Sequence, residues 1–130
     1  MFLDEFSIDE KKAFFCLAEL VIKSDNHISQ EEEVLMKMFI RELGFNSHNL
    51  TEEMSFEILI KSTNDIKRKV YIELLIVAYS DCIFNKSECK CLYEIQNKLG
   101  LPLHFVNKAK DRVEKYLSCF KEVYKIAEGL

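Results

Sequence analysis

Apolar residues recur every three or four positions along most of this chain, which is the spacing of amphipathic α-helices. The first helix is predicted to begin after Ser7, because Ser7 and Glu10 have the spacing of a capping box. A second box, at Ser29 and Glu32, predicts the start of another helix, and Gly44 predicts its end. The residues predicted to face inward from these two helices are Phe14, Leu17, Ala18, Val21, Leu35, Met38, Phe39 and Leu43.

The middle of the chain predicts one short helix and one unusually apolar helix. Thr51 and the two glutamates after it indicate a short helix, which a polar cluster at residues 62–65 would close. Nine of the ten residues from Val70 to Tyr79 are apolar, as expected for a helix at the centre of a bundle. Several of these residues are β-branched, so a buried strand is the competing interpretation.

The last third of the chain predicts two further helices. One starts at Asn85 and ends at Gly100, and Pro102 suits the first turn of the next. The apolar residues of this last helix are Phe105, Ala109, Val113, Tyr116, Phe120, Val123 and Ala127. Their spacing indicates a helix from Leu103 to Glu128, roughly 39 Å long if it is unbroken.

The two halves of the chain resemble each other at an offset of 56 residues. Residues 17–25 align with residues 73–81, and both stretches end in Ser-Asp. Further on, Glu32 aligns with Glu88, and each half closes with a Leu-Gly pair. This register with the first helix favours a helix over a strand at residues 70–79.

The repeat and the composition together predict an all-α fold. The 130 residues include only three glycines and one proline, few for a fold with many tight turns, and 48% of them are hydrophobic. A chain of this size can bury a core without cross-links. We expect a single-domain helical bundle over residues 1–130, with helix–loop–helix repeats at about 11–45 and 67–101 and a long C-terminal helix.

Charge, cysteine content and the longest apolar run bear on nucleic-acid binding, disulfide formation and membrane insertion. The net charge is −4, and the basic run at residues 67–69 has no companion patch, so nucleic-acid binding is not expected. The five cysteines are an odd number and no signal peptide precedes them, which favours reduced thiols in the cytoplasm. The longest apolar run, residues 70–79, is far shorter than the ~20 residues of a membrane span, so no membrane insertion is expected.

Two acidic loops are the candidate metal site. In each half an aspartate ends the first helix, and a glutamate lies one turn into the second: Asp25 with Glu32, and Asp81 with Glu88. An aspartate at a helix C-terminus faces the negative end of the helix dipole, and this interaction is unfavourable. A bound cation or the amides of the next helix would offset it. If the loops lie close together, the four carboxylates suit Ca²⁺ or Mg²⁺. The alternative is structural, because both glutamates occupy capping-box positions.

The same loops resemble a known family. Residues 24–32, followed by Leu-Gly-Phe at residues 43–45, resemble the repeated A-D-G-x-I-x-x-x-E … L-G-L signature of the tellurite-resistance TerB-like family. Residues 80–88, followed by Leu-Gly-Leu at residues 99–101, are similar. The resemblance implies a small helical domain associated with tellurite and other stress responses. It also implies divalent-metal binding by Asp25, Glu32, Asp81 and Glu88.

The chain departs from that signature at the glycine of each loop. Asn26 replaces it in the first loop and Cys82 in the second. Asparagine adopts the left-handed conformation more readily than cysteine does. Cys82, Cys89 and Cys91 do not have the spacing of a zinc site, since the last two are only two residues apart on a predicted helix.

The expected function is a non-catalytic, cytoplasmic TerB-like module with a candidate divalent-cation site and no enzymatic activity. A protein–protein interaction adaptor without metal is the first alternative, and a carboxylate- or thiol-dependent enzyme is the second. A homo-oligomer or protein partner is expected to bind the end of the last helix, through Phe120, Val123, Tyr124 and Ala127. A kink near Ser118 that returns this end to the core is the alternative.

Overall fold

The computed structural model describes residues 2–25, 30, 33–34, 37–38, 41, 50–79 and 86–129. In these ranges, five α-helices have defined ends: α1 (Ile8–Ile22), α2 (Glu52–Ile60), α3 (Asn64–Tyr79), α4 (Lys86–Leu99) and α5 (Leu103–Ala127). Short 3-10 turns at Leu3–Glu5 and Lys23–Asp25 flank α1. The ranges contain no strand, and residues 70–79 are helical, so the predicted all-α class is confirmed.

Hydrogen bonds at the N-termini of α1 and α2 explain where these helices begin. The Ser7 Oγ accepts from the Glu10 backbone N–H at 3.2 Å, and the Ser7 N–H donates to the Glu10 Oε1 at 2.8 Å. The predicted capping box is therefore present. At α2, the Thr51 Oγ1 accepts from the Met54 N–H at 3.1 Å.

A Schellman motif ends α4. Gly100 has φ +68°, the left-handed region in which a side chain is strained. The Leu101 N–H donates to the Gln96 carbonyl at 3.1 Å, and the Gly100 N–H donates to the Asn97 carbonyl at 3.2 Å. Gly100 therefore ends the helix as predicted. Pro102 is the N-cap of α5 rather than a first-turn residue, because its ψ of 147° is extended and not helical. Its carbonyl accepts from the Val106 N–H at 3.1 Å.

Helices α1 and α3 form the centre of the bundle. Helix α1 packs against α2, α3 and α4, while α5 packs mainly against α3. From Val70 to Ala78, only Ile72 and Ile76 are more than marginally exposed, as expected for a central helix. The rings of Tyr71 and Phe105 join α3 to α5, with centroids 6.3 Å apart.

One residue that the sequence predicted to face the core, Met38, is exposed instead. Residues 30, 33–34, 37–38 and 41 are helical, in line with the predicted second helix. However, Met38 is 52% exposed, and Val34, one turn earlier, is 53% exposed. The two side chains share a helical face, and tertiary packing leaves that face in solvent. The helix–loop–helix repeat stays a prediction, because both of its loops and much of this helix lie outside the described residues.

Candidate functional site

The predicted metal ligands are only partly described. Asp25 lies in the 3-10 turn after α1, but its side chain, Glu32 and Asp81 lie outside the described residues. Glu88, in the first turn of α4, is only 2% exposed, so a cation held there would be enclosed by the bundle. Among the described residues, no three His, Cys, Asp or Glu side chains are grouped so as to hold a metal ion. The four-carboxylate site stays a prediction.

The described cysteines of α4 differ in their surroundings. Cys89 is exposed, whereas Cys91 is half-buried and packs against the core. Burial, together with the negative charge of Glu94, Glu52 and Glu88, raises the pKa of the Cys91 thiol to about 11. A thiol with this pKa is almost entirely protonated at neutral pH and is a poor nucleophile. Cys82 lies outside the described residues.

Carboxylates accompany the basic run of α3. The Lys69 Nζ lies 2.8 Å from an Asp65 carboxylate oxygen and also contacts Glu5, and these two carboxylates raise the pKa of Lys69. The Arg68 guanidinium lies 4.0 Å from the same aspartate. Arg68 and Lys69 of the run therefore have acidic neighbours, which offset part of its positive charge. The expectation that the run does not bind nucleic acid stays a prediction.

The C-terminal half of α5 extends beyond the bundle with its apolar side chains exposed. Residues 103–127 form one continuous helix, and every residue from 118 to 129 is exposed. The alternative, a kink near Ser118 that returns this end to the core, is therefore wrong. Exposure of the large side chains is 56% for Phe120, 58% for Val123 and 59% for Tyr124. We call Phe120, Val123, Tyr124 and Ala127 the distal face. The sequence predicted these four residues as an interaction surface, and the structure shows them in solvent.

An apolar groove lies beside the first half of α5, which the sequence did not predict. This α3–α5 groove encloses about 450 Å³. Its apolar lining comes from Phe2, Ile72, Ile76, Phe105, Ala109 and Val113, and Tyr116 also lines it. The signal in the sequence is the pair Ile72 and Ile76, one turn apart on one side of α3, but it becomes a groove only once α5 packs alongside.

Two contacts hold the N-terminal wall of the groove. The Phe2 backbone N–H donates to the Glu73 Oε1 at 2.6 Å, and Glu73 is only 2% exposed. The Lys69 ammonium lies 5.6 Å from the centroid of the Phe2 ring. These contacts place the Phe2 ring against α3, where it closes one side of the groove.

The groove carries positive charge. Arg68, Lys108 and Arg112 line it, and all three are exposed. In the part of the chain that the structure describes, no carboxylate lies within 4.0 Å of the Lys108 or Arg112 cation. The groove therefore suits an apolar ligand that carries negative charge beside its apolar surface.

Comparison with known proteins identifies no relative of this chain. No protein-family model, curated protein or solved structure matches the chain. Within the described residues, no helix combines the length and apolar character needed to cross a bilayer. The resemblance to the TerB-like family therefore rests on the two sequence motifs, at residues 24–32 and 80–88.

Proposed function

We propose that this chain is a non-catalytic helical interaction module that binds a protein partner through the distal face of α5. The observation that carries the proposal is the exposure of this face on a continuous helix. The same stripe is buried at Ala109 and Val113, which are 7% and 5% exposed, and becomes exposed where α5 leaves α3. An apolar stripe that continues past the core of its own domain is typical of a binding surface.

Burial of the distal face would supply substantial binding energy. Full burial of a side chain such as Phe or Val favours association by about 1.5–3 kcal/mol. Aromatic anchors such as Phe120 and Tyr124 are the side chains that most often dominate an interface. Their rings already contact each other, with centroids 6.3 Å apart, so they form one continuous apolar surface.

The TerB-like role and the cation site are compatible with an interaction module. Of the four predicted ligands, Glu88 lies in the first turn of α4, whereas the distal face lies at the end of α5. A cation at Asp25, Glu32, Asp81 and Glu88 would stabilise the bundle without occupying the binding surface. The stress response implied by the resemblance stays a prediction.

Photo-crosslinking in the native host tests the proposal. Phe120 is replaced by p-benzoylphenylalanine, and the matched control carries the same residue in place of Lys125, about 140° around the helix. Both positions are exposed, so neither replacement disturbs the core. We expect a discrete adduct from position 120 and little or none from position 125. Absence of an adduct at position 120, or equal adducts at both positions, would contradict the proposal.

A further inference from the structure

We propose that two copies of this chain associate through α5 as an antiparallel pair, in which the distal face of each copy fills the α3–α5 groove of the other. The inference rests on the proposed function and names the partner. A single copy cannot join the two surfaces, because α5 is continuous and its second half leads away from the groove that its first half lines. Length, side-chain size and charge each favour a second copy as the occupant.

The groove and the distal face extend equally far from Tyr116, in opposite directions along α5. Phe105 lies eleven residues before Tyr116, and Ala127 lies eleven residues after it. Each half of the helix is therefore roughly 17 Å long. A two-fold axis at Tyr116 lays the distal face of one copy along residues 105–112 of the other, on the α5 side of the groove. Such an interface uses both surfaces twice and leaves neither exposed.

Side-chain sizes alternate across this axis. The facing pairs are Phe105 with Ala127 and Ala109 with Val123, and Phe120 lies one residue from the position that faces Val113. Each pair sets a larger side chain against a smaller one, which is the arrangement that lets two packed surfaces interdigitate without voids. The small Ala109 side chain, which lines the groove, leaves the space that Val123 of the second copy fills.

Charges on the edge of α5 also match. Lys108 lines the groove, and Glu122 lies beside the distal face. The two residues are fourteen positions apart, which places them within about 40° of each other around the helix. Lys108 is eight residues before Tyr116 and Glu122 is six after it, so the antiparallel pair brings them within about 3 Å along the helix axis. The interface therefore contains this ion pair twice.

Charge reversal tests the pairing in the full-length chain. Both side chains are exposed, so Lys108→Glu and Glu122→Lys leave the core intact, and circular dichroism checks that they do. We expect a dimer by sedimentation equilibrium, weakened by either single change by at most about fivefold for each of the two ion pairs. The double variant should recover the wild-type dissociation constant. Additive weakening in the double variant would overturn the proposed register.

A cysteine at the axis provides a second, independent test. Facing Cα atoms of two contacting helices are about 5 Å apart, within disulfide range. With the exposed Cys89 and Cys119 replaced by serine, Tyr116→Cys should therefore form a disulfide-linked dimer on mild oxidation. Ser118→Cys in the same background is the control, since Ser118 lies on the opposite side of the helix. Equal cross-linking of the two variants would contradict the inference.

The two proposals fail in different ways. If the chain is a monomer and the photo-crosslinker at position 120 captures a different protein, the second-copy inference is wrong and the interaction module stands. If position 120 gives no adduct, the proposed function itself fails. An adduct of twice the chain mass, with the cross-link in the α3–α5 groove, supports both.

Discussion

The backbone conformation at Gly100 strongly favours glycine over residues that have a side chain. Its φ of +68° costs a residue with a side chain about 1–2 kcal/mol, and no described atom within 4 Å would clash with an added Cβ. We therefore expect Gly100→Ala to lower the unfolding free energy by about 1–2 kcal/mol through backbone strain alone, measured by urea denaturation.

Gly129 provides the matched control for that change. It also has positive φ, +82°, but it follows the end of α5, where the neighbouring residues are exposed. Gly129→Ala should change stability by less than about 0.5 kcal/mol, because only the last turn would fray. Equal losses for the two substitutions would show that the Schellman motif of α4 is not what makes Gly100 necessary.

Glu10 should make stability depend on pH. Partial burial raises its pKa, but hydrogen bonds from the Ser7 backbone, the Ser62 hydroxyl and the Ser7 side chain outweigh this effect, so the pKa lies below its ordinary value of 4.5. A carboxyl whose pKa is lower in the folded state stabilises the protein above the unfolded-state pKa, and this contribution is lost as pH falls through the folded-state pKa. Glu10→Gln should therefore reduce stability at pH 7, and its difference from wild type should shrink below about pH 4.5.

Urea denaturation at pH 7 and pH 3 measures the Glu10 effect. Thr51→Ala is the control, because Thr51 caps α2 with a hydroxyl that does not titrate. Its cost, about 1 kcal/mol, should be the same at both pH values. A gap between Glu10→Gln and wild type that does not change with pH would contradict the assignment.

Helix α5 allows a buried valine and an exposed valine of the same helix to be compared. Val113 and Val123 belong to the same apolar stripe, but Val113 is 5% exposed and Val123 is 58% exposed. Val113→Ala should cost about 2 kcal/mol, because two buried methylene equivalents and their packing are lost. Val123→Ala should change monomer stability by less than about 0.5 kcal/mol.

The effects of the two substitutions on self-association should have the reverse order, with Val123→Ala having the larger effect. At protein concentrations where the chain is a dimer, Val123→Ala should weaken self-association more than its effect on monomer stability suggests. Chemical denaturation at low concentration and sedimentation at high concentration separate the two quantities. A loss of stability at Val123 as large as that at Val113 would mean that the distal half of α5 packs on its own bundle.

At the scale of the whole molecule, the cation hypothesis predicts a ligand-dependent melting temperature. If Asp25, Glu32, Asp81 and Glu88 bind Ca²⁺ or Mg²⁺, a cation at 100 times its dissociation constant stabilises the fold by about 2.7 kcal/mol. For a chain of 130 residues, this corresponds to a rise of about 10 °C.

The control for cation binding carries neutral side chains of similar shape. Asp25→Asn and Asp81→Asn together should abolish the rise while keeping both loops nearly the same size. An unchanged melting temperature of the wild-type chain in either cation would leave the capping roles of Glu32 and Glu88 as the explanation for the acidic loops.

Local features of the fold followed from the sequence, because short-range hydrogen bonds and backbone geometry determine them. Ser7 and Glu10 are three residues apart and form their capping box within one turn. Gly100 ends α4 because few other residues adopt its backbone conformation. Helical periodicity likewise predicted α1 and α5, since the spacing of apolar residues depends only on the helix itself. For α3, which is apolar nearly all round, the alignment with the first helix predicted a helix rather than a strand.

The burial of individual side chains and the α3–α5 groove could not be predicted from the sequence, because both depend on contacts between residues far apart in the chain. Met38 has the spacing of a core residue but lies in solvent, and Val113 and Val123 have equivalent places in one pattern with opposite exposure. The α3–α5 groove joins Phe2, Ile72 and Ala109, whose proximity no local pattern encodes. The sequence alone predicted that the described segments are helical, where α1 and α2 begin and where α4 ends. Only the packing of α5 on α3 decided which part of its apolar stripe is buried, which part remains exposed, and where a second helix can bind.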